Sequence, residues 1–141
     1  MHTPNTWRNI MIRALSLVTL LGLTLAVAVA AEEPGDYKPD TFAISADGSE
    51  LTSPISKLSG VSPYYHLYSV NGKAVEVLAN PHLDLEFGIG PAAAATLADK
   101  GVTVLVGGMA GPKMQDVLDA RSVRFVRRTG TVEDVVKELS E

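Results

Sequence analysis

Two glycine turns, Gly88-Ile89-Gly90-Pro91 and Gly107-Gly108-Met109-Ala110-Gly111-Pro112, restrict this chain more than any other feature. Each closes on a proline, which suits the first turn of a helix because its missing N–H would have no acceptor there. Between them, Gly101-Val102-Thr103-Val104-Leu105-Val106 is a nearly continuous apolar run, the pattern of a parallel strand buried on both faces. Turn, helix, strand, turn, helix is the order of an α/β fold. A helix N-terminus carries unpaired N–H groups and partial positive charge, and glycine lets backbone approach a ligand closely. Gly88, Gly90, Gly107, Gly108, Met109 and Gly111 are therefore the candidate cofactor-binding residues, and an anionic ligand is the chemistry they suit.

The beginning of the chain has a different character. Arg8 and Arg13 give a basic start, residues 14–29 are almost wholly apolar, and Ala28-Val29-Ala30 is a small-x-small cleavage site. Residues 1–30 read as a general secretory signal peptide, so the protein is expected to be periplasmic or secreted. The apolar stretch is short for a membrane span, and no membrane association is expected once it is cleaved. The sequence has no cysteine, which excludes a lipoprotein anchor, a disulfide and a thiolate ligand. Cleavage after Ala30 leaves 111 of the 141 residues, enough for one domain with a core. It removes two of the twelve basic residues and none of the sixteen acidic ones, taking the net charge from −4 to about −6. That balance argues against nucleic acid or an anionic membrane as a partner.

Residues 31–40 are polar, with two prolines and a glycine, and read as a flexible leader. Residues 41–45 form a first strand ending at Asp47-Gly48, and residues 50–62, rich in serine with Pro54 and Gly60, read as a long loop. Residues 64–70 and 73–79 are aromatic and β-branched, and Asn71-Gly72 between them suits a two-residue hairpin turn of positive φ. Helices follow over 91–100 and 112–120, the latter with Met114, Val117 and Leu118 on one face, then a last strand over 122–126. Thr131 caps a third helix, with Asp134 as the return partner of a capping box and Val132, Val135, Val136 and Leu139 as its stripe. The order implies a single α/β domain over 41–141: a mixed five-stranded sheet with an antiparallel hairpin, and three helices. In such open sheets ligands bind beyond the carboxyl ends of the strands, where both glycine turns should lie.

Other residues invite chemistry, each against a plainer reading. His82-Leu83-Asp84-Leu85-Glu86-Phe87 alternates, placing His82, Asp84 and Glu86 on one face as a candidate metal set for zinc, copper(II), nickel or iron. The plainer reading is an edge segment with one wet face, since same-face neighbours stand about 6.5 to 7 Å apart. Met109 and Met114 with a histidine could hold copper(I), although Met114 also suits a core. Tyr64, His66 and Tyr68 share a strand face and could stack an organic ligand or simply pack. Arg121, Arg124, Arg127 and Arg128 could add positive potential or guard an edge strand. Gly88-Ile89-Gly90-Pro91-Ala92-Ala93 fits a loose dinucleotide pattern, but no acid stands about twenty residues on. No nucleophile elbow, Walker loop or metalloprotease motif is present, and Asp84 with Glu86 is the one carboxylate pair considered for catalysis.

Ser45-Ala46-Asp47-Gly48, Leu51-Thr52-Ser53-Pro54-Ile55-Ser56 and Ser62-Pro63-Tyr64-Tyr65 open a series of short motifs. Asn80-Pro81, Gly88-Ile89-Gly90-Pro91, Lys100-Gly101-Val102, Gly111-Pro112 and Gly130-Thr131-Val132-Glu133 continue it. In this order and spacing the series resembles the dinitrogenase iron–molybdenum cofactor biosynthesis family over essentially all of residues 41–141. The resemblance implies a ribonuclease-H-like topology and the binding or carriage of nitrogenase metal clusters and their precursors, without catalysis. The family's histidine loop corresponds here to Lys57-Leu58-Ser59-Gly60, which has no histidine. The expectation is thus an exported, non-enzymatic binding protein for a metal ion, a metal cluster such as an iron–molybdenum one, or an anionic cofactor. The alternative is a ligand-free module that regulates a periplasmic redox or metal-handling partner.

Overall fold

A computed structural model of the protein describes residues 41–140. The expected signal peptide and leader, residues 1–40, lie outside the described residues. Five strands form one sheet: β1 (Thr41–Ala46), β2 (Tyr64–Ser69), β3 (Ala74–Ala79), β4 (Val102–Gly107) and β5 (Arg124–Arg127). Their spatial order is β3-β2-β1-β4-β5. β1–β2 and β2–β3 pair antiparallel, whereas β1–β4 and β4–β5 pair parallel. The α/β domain with a mixed five-stranded sheet and three helices is therefore present as expected.

Side-chain alternation splits the core in two. Ala43, Tyr65, Leu67 and Leu105 point to one face, covered by α1 (Ile89–Asp99) and α2 (Pro112–Ala120) through Ala93, Ala94, Leu97, Met114 and Leu118. Ile44, Ala46, Tyr68 and Val106 point to the other, covered by α3 (Val132–Ser140) through Val132 and Val135. The capping box at α3 is formed: the Thr131 N–H donates to Asp134 Oδ2 at 2.9 Å and the Asp134 N–H to Thr131 Oγ1 at 3.3 Å. Among the described residues no helix is long and apolar enough to cross a membrane.

The hairpin differs in its turn. Gly72 N–H donates to Ser69 O and Ser69 N–H to Lys73 O, both at 2.9 Å, so the loop is Val70-Asn71-Gly72. Gly72 takes φ +79° and Asn71 does not take positive φ, which is a three-residue loop closing on a glycine bulge. Only one residue needs the left-handed region, and glycine supplies it.

Residues 50–62 are not a loose loop. They form a strap across the carboxyl end of β1, including a short 3-10 turn, Ser59–Val61, and bridges Ala46–Ile55 and Pro54–Thr131. Because β1, β4 and β5 are parallel and β2 runs against β3, the chain leaves β1, β3, β4 and β5 at one common edge.

Candidate functional site

Serine holds the strap down. Ser45, Ser53, Ser56, Ser59 and Ser62 are all buried, and each has a partner. Ser45 Oγ pairs with Ser59 Oγ at 3.0 Å and donates to Val106 O at 3.2 Å. Ser56 Oγ donates to Asp47 Oδ1 at 2.7 Å and pairs with Ser62 Oγ at 2.8 Å. Ser59 is bound three ways: its hydroxyl to Ser45, its N–H to Met109 O at 2.8 Å, and its carbonyl to the Tyr65 hydroxyl. Burial pushes the Tyr65 phenol well above its ordinary value, so it stays a donor. The composition of 50–62 signals a loop; hydroxyls spaced to bury one another are not a local pattern, and sequence reasoning missed them.

The strap, the start of α1 and the turn before α2 line a cavity of about 450 Å³ that is open to solvent. Its walls are Leu58, Gly60 and Val61 of the strap, Gly90 and Pro91 of α1, and Met109, Gly111, Pro112, Lys113 and Met114 at α2. Gly60 and Gly90 make the approach possible, because a Cβ on Gly60 would lie 2.9 Å from the Gly90 Cα. The same Cβ would lie 3.4 Å from Met114 Sδ, so the thioether reaches the wall between the two glycines. Met114 is otherwise buried in the core, while Met109 is half exposed at the rim.

Helix starts add polarity to these apolar walls. Gly88, with φ +76°, is the N-cap of α1, and Pro91 is the third helical residue instead of the first. Pro112 does open α2, after Gly111. The first-turn N–H groups of Ile89 and Gly90 in α1, and of Lys113 and Met114 in α2, have no acceptor within their own helices. Among the described residues no backbone carbonyl pairs with them. At α3, by contrast, the Val132 and Glu133 N–H groups donate to Ser53 O at 3.0 Å and Leu51 O at 2.8 Å of the strap. The strap closes one helix N-terminus and leaves two beside the cavity.

The expected binding glycines therefore divide. Gly90, Met109 and Gly111 come together on the cavity wall. Gly88 stands outside it, with open space where its Cβ would be. Gly107 and Gly108 face the strap: a Cβ on Gly107 would sit 1.9 Å from Ser59 Oγ, and one on Gly108 2.6 Å from Lys57 O. Gly108 N–H donates to Ser56 O at 3.0 Å, so Gly108 receives the strap backbone and Gly107 the Ser45 and Ser59 side chains.

His82, Asp84 and Glu86 do not form an alternating extended segment. Asn80 Oδ1 accepts from His82 N–H at 3.1 Å and His82 O from Leu85 N–H at 3.1 Å, which folds residues 81–84 into a turn. His82 Nε2 lies 2.7 Å from Thr96 Oγ1 on α1, while Asp84 and Glu86 point into solvent. Among the described residues no three histidine, aspartate or glutamate side chains are placed to hold a metal ion. Tyr68 packs in the core and His66 is buried with Nε2 2.9 Å from Gly48 O, so that strand face packs against its own protein. β5 is an edge strand, and beside it Arg121 and Arg128 pair with Asp99 and Glu138.

Residues 41–141 match the family model described as dinitrogenase iron–molybdenum cofactor. The fold is similar to the apo form of the orange protein from Desulfovibrio gigas, at 26% identity over 71% of this chain and 86% of that one, TM-score 0.65. It is similar to a putative NifB protein from Thermotoga, at 29% identity over 72% of this chain and 87% of that one, TM-score 0.62. PH0822 shares the fold at 22% identity, covering 71% of this chain and 89% of that one, TM-score 0.60. No curated protein matches the chain.

Proposed function

The chain belongs to the dinitrogenase iron–molybdenum cofactor family, and from that premise we propose that it is a non-catalytic carrier. Its cargo is a metal cluster or another bulky, soft, metal-bearing anion. The observation that carries this reading is the cavity itself, where two helix starts and the strap converge on the carboxyl edge of the sheet. That edge is where open α/β sheets receive ligands.

The wall chemistry selects the kind of cargo. A small hydrated cation would need carboxylate or imidazole oxygens and nitrogens, and the wall residues supply neither. A large anion of low charge density sheds its water at less cost and gains contact with Leu58, Val61 and Pro91. The N–H groups of Gly90, Lys113 and Met114 and the Lys113 ammonium supply the positive end. The thioethers of Met109 and Met114 suit soft metals, copper(I) among them. The wall holds no carboxylate, imidazole or hydroxyl, so Lys113 has no acid or base among the wall residues to form a catalytic pair with, which supports carriage over turnover.

The location outside the cytoplasm rests on the leader sequence. A chain exported unfolded brings no cargo, so loading follows export, from a protein or small-molecule donor on that side. Native mass spectrometry with elemental analysis of protein purified from its own host tests the reading. A bound mass with stoichiometric metal is expected. A clean apo mass that persists after incubation with metal–sulfide anions and oxyanions would refute carriage and leave the interaction-module reading.

A further inference from the structure

Phe87 is 81% exposed, the most of any large apolar side chain among the described residues. Leu83 and Leu85 beside it are 44% and 43% exposed. Little of the ring is covered by its own chain, and an exposed aromatic grouped with other exposed apolar side chains is the kind of patch that an interface uses. Three residues further on, Gly90 is part of the cavity wall. Gly88, with φ +76°, turns the chain between the two. One chain therefore presents an apolar knob and an apolar hole side by side.

Charge follows the same division. Asp84 and Glu86 flank the knob, while Lys57 and Lys113 flank the hole, and all four are exposed. None of the four makes an ion pair among the described residues. A knob with two acids next to a hole with two lysines is self-complementary about a twofold axis, as an isologous interface requires.

We propose that the protein forms a twofold dimer in which each Phe87 ring enters the cavity of the other copy. Asp84 and Glu86 then lie against the partner's Lys57 and the partner's Lys113. At about 450 Å³ the cavity falls in the range of small-molecule pockets, roughly 300 to 1,000 Å³, and accommodates a phenyl ring. An interface built from these residues belongs to the small class, below about 1,200 Å², so dimerisation is concentration-dependent. A seated ring occupies part of the cavity and covers wall residues the cargo would touch, so copy and cargo compete for it. That competition rests on the carrier reading, whereas the dimer does not.

Sedimentation equilibrium of the protein as its host produces it, freed of metal, tests the dimer. A reversible monomer–dimer equilibrium that weakens with salt is expected. Phe87→Ala should raise the dissociation constant at least tenfold without moving the thermal midpoint. Gly111→Trp should do the same from the other side, since a side chain at that wall position starts in open space. Lys57→Glu with Lys113→Glu should weaken the dimer, and adding Asp84→Lys with Glu86→Lys to the same chain should restore it. A monomer at every concentration, a dimer indifferent to Phe87→Ala and Gly111→Trp, or a Phe87-dependent complex formed only with a different protein would each overturn the proposal. Elemental analysis of the Phe87→Ala monomer separates the two ideas, because metal loading there upholds the carrier whatever the fate of the dimer.

Discussion

Gly107→Ala adds one methyl group where the structure has no room for it. The new Cβ would lie 1.9 Å from Ser59 Oγ, 2.5 Å from Ser45 Oγ and 3.1 Å from Ser59 Cβ. Gly107 does not take positive φ, so the backbone itself accepts alanine, and alanine would be worth about 0.5 to 1 kcal/mol there if space allowed. Space does not allow it. Both hydroxyls must swing away, ending the Ser45–Ser59 bond and the Ser45 bond to Val106 O, at about 1 kcal/mol each. Overpacking of the β1–β4–strap junction adds about 1 to 3 kcal/mol. These losses come to about 3 to 5 kcal/mol and, less the alanine gain, leave a net cost of about 2 to 4.5 kcal/mol, which for a domain this size lowers the midpoint by on the order of 10 to 20 °C. Trp7, the chain's one tryptophan, lies outside the described domain, so urea denaturation is followed by far-ultraviolet circular dichroism. In a Ser45→Ala, Ser59→Ala background the same Gly107→Ala change should cost less than about 1 kcal/mol, giving a coupling of about 2 kcal/mol in the cycle. A Gly107→Ala protein as stable as the wild type, or one equally damaged with and without the serines, would refute the account of this glycine as a seat for the strap.

Tyr65→Phe leaves the buried Ser59 carbonyl without its donor and should cost about 1 to 3 kcal/mol at neutral pH. Because burial raises the Tyr65 phenol above its ordinary 10.0, the wild type should lose stability as pH climbs past that value, and Tyr65→Phe should flatten this alkaline loss in pH-dependent urea melts. The Thr131 N–H and hydroxyl hold the Asp134 carboxyl below its ordinary range, so its contribution is present above that range and disappears as pH falls through the lowered value. Asp134→Asn should remove that acid dependence, read in the same melts. Met109→Leu should leave stability within about 1.5 kcal/mol, as a volume-conserving change at the rim, and reduce the metal retained by protein from the host. Gly88→Ala forces φ +76° on a residue with a Cβ and should cost about 1 to 2 kcal/mol, although nothing surrounds the added methyl.

Alternation in sequence misled in one place. From Tyr64 to Ser69, where aromatic composition signals the strand, β1 and β3 pair on both sides and fix which face each residue takes. From His82 to Phe87 the polar–apolar alternation lies beyond the last pairing of β3 at Ala79, and the Asn80 side chain bends the backbone instead. Period two means a strand only where a neighbouring strand accepts its hydrogen bonds. The glycines divide for a similar reason. The sequence around Gly107-Gly108 and around Gly88-Ile89-Gly90 looks alike, yet one pair accommodates serines that lie some fifty residues earlier.

Local chemistry was sufficient for the elements. Proline and glycine at the ends of α1 and α2, the Thr131–Asp134 box, the hairpin signal at Asn71-Gly72 and the apolar run of β4 all act within a few residues, so they are readable in order along the chain. The family is legible for the same reason, since its motifs are turn and cap residues. The cavity belongs to tertiary structure alone. Its walls come from three segments far apart in sequence, and they meet because the strap is tied to β1, Met109 and Tyr65 by long-range hydrogen bonds. Which glycine lines the cavity and which faces a neighbour is decided by what packs against it, and only the folded chain brings those neighbours together.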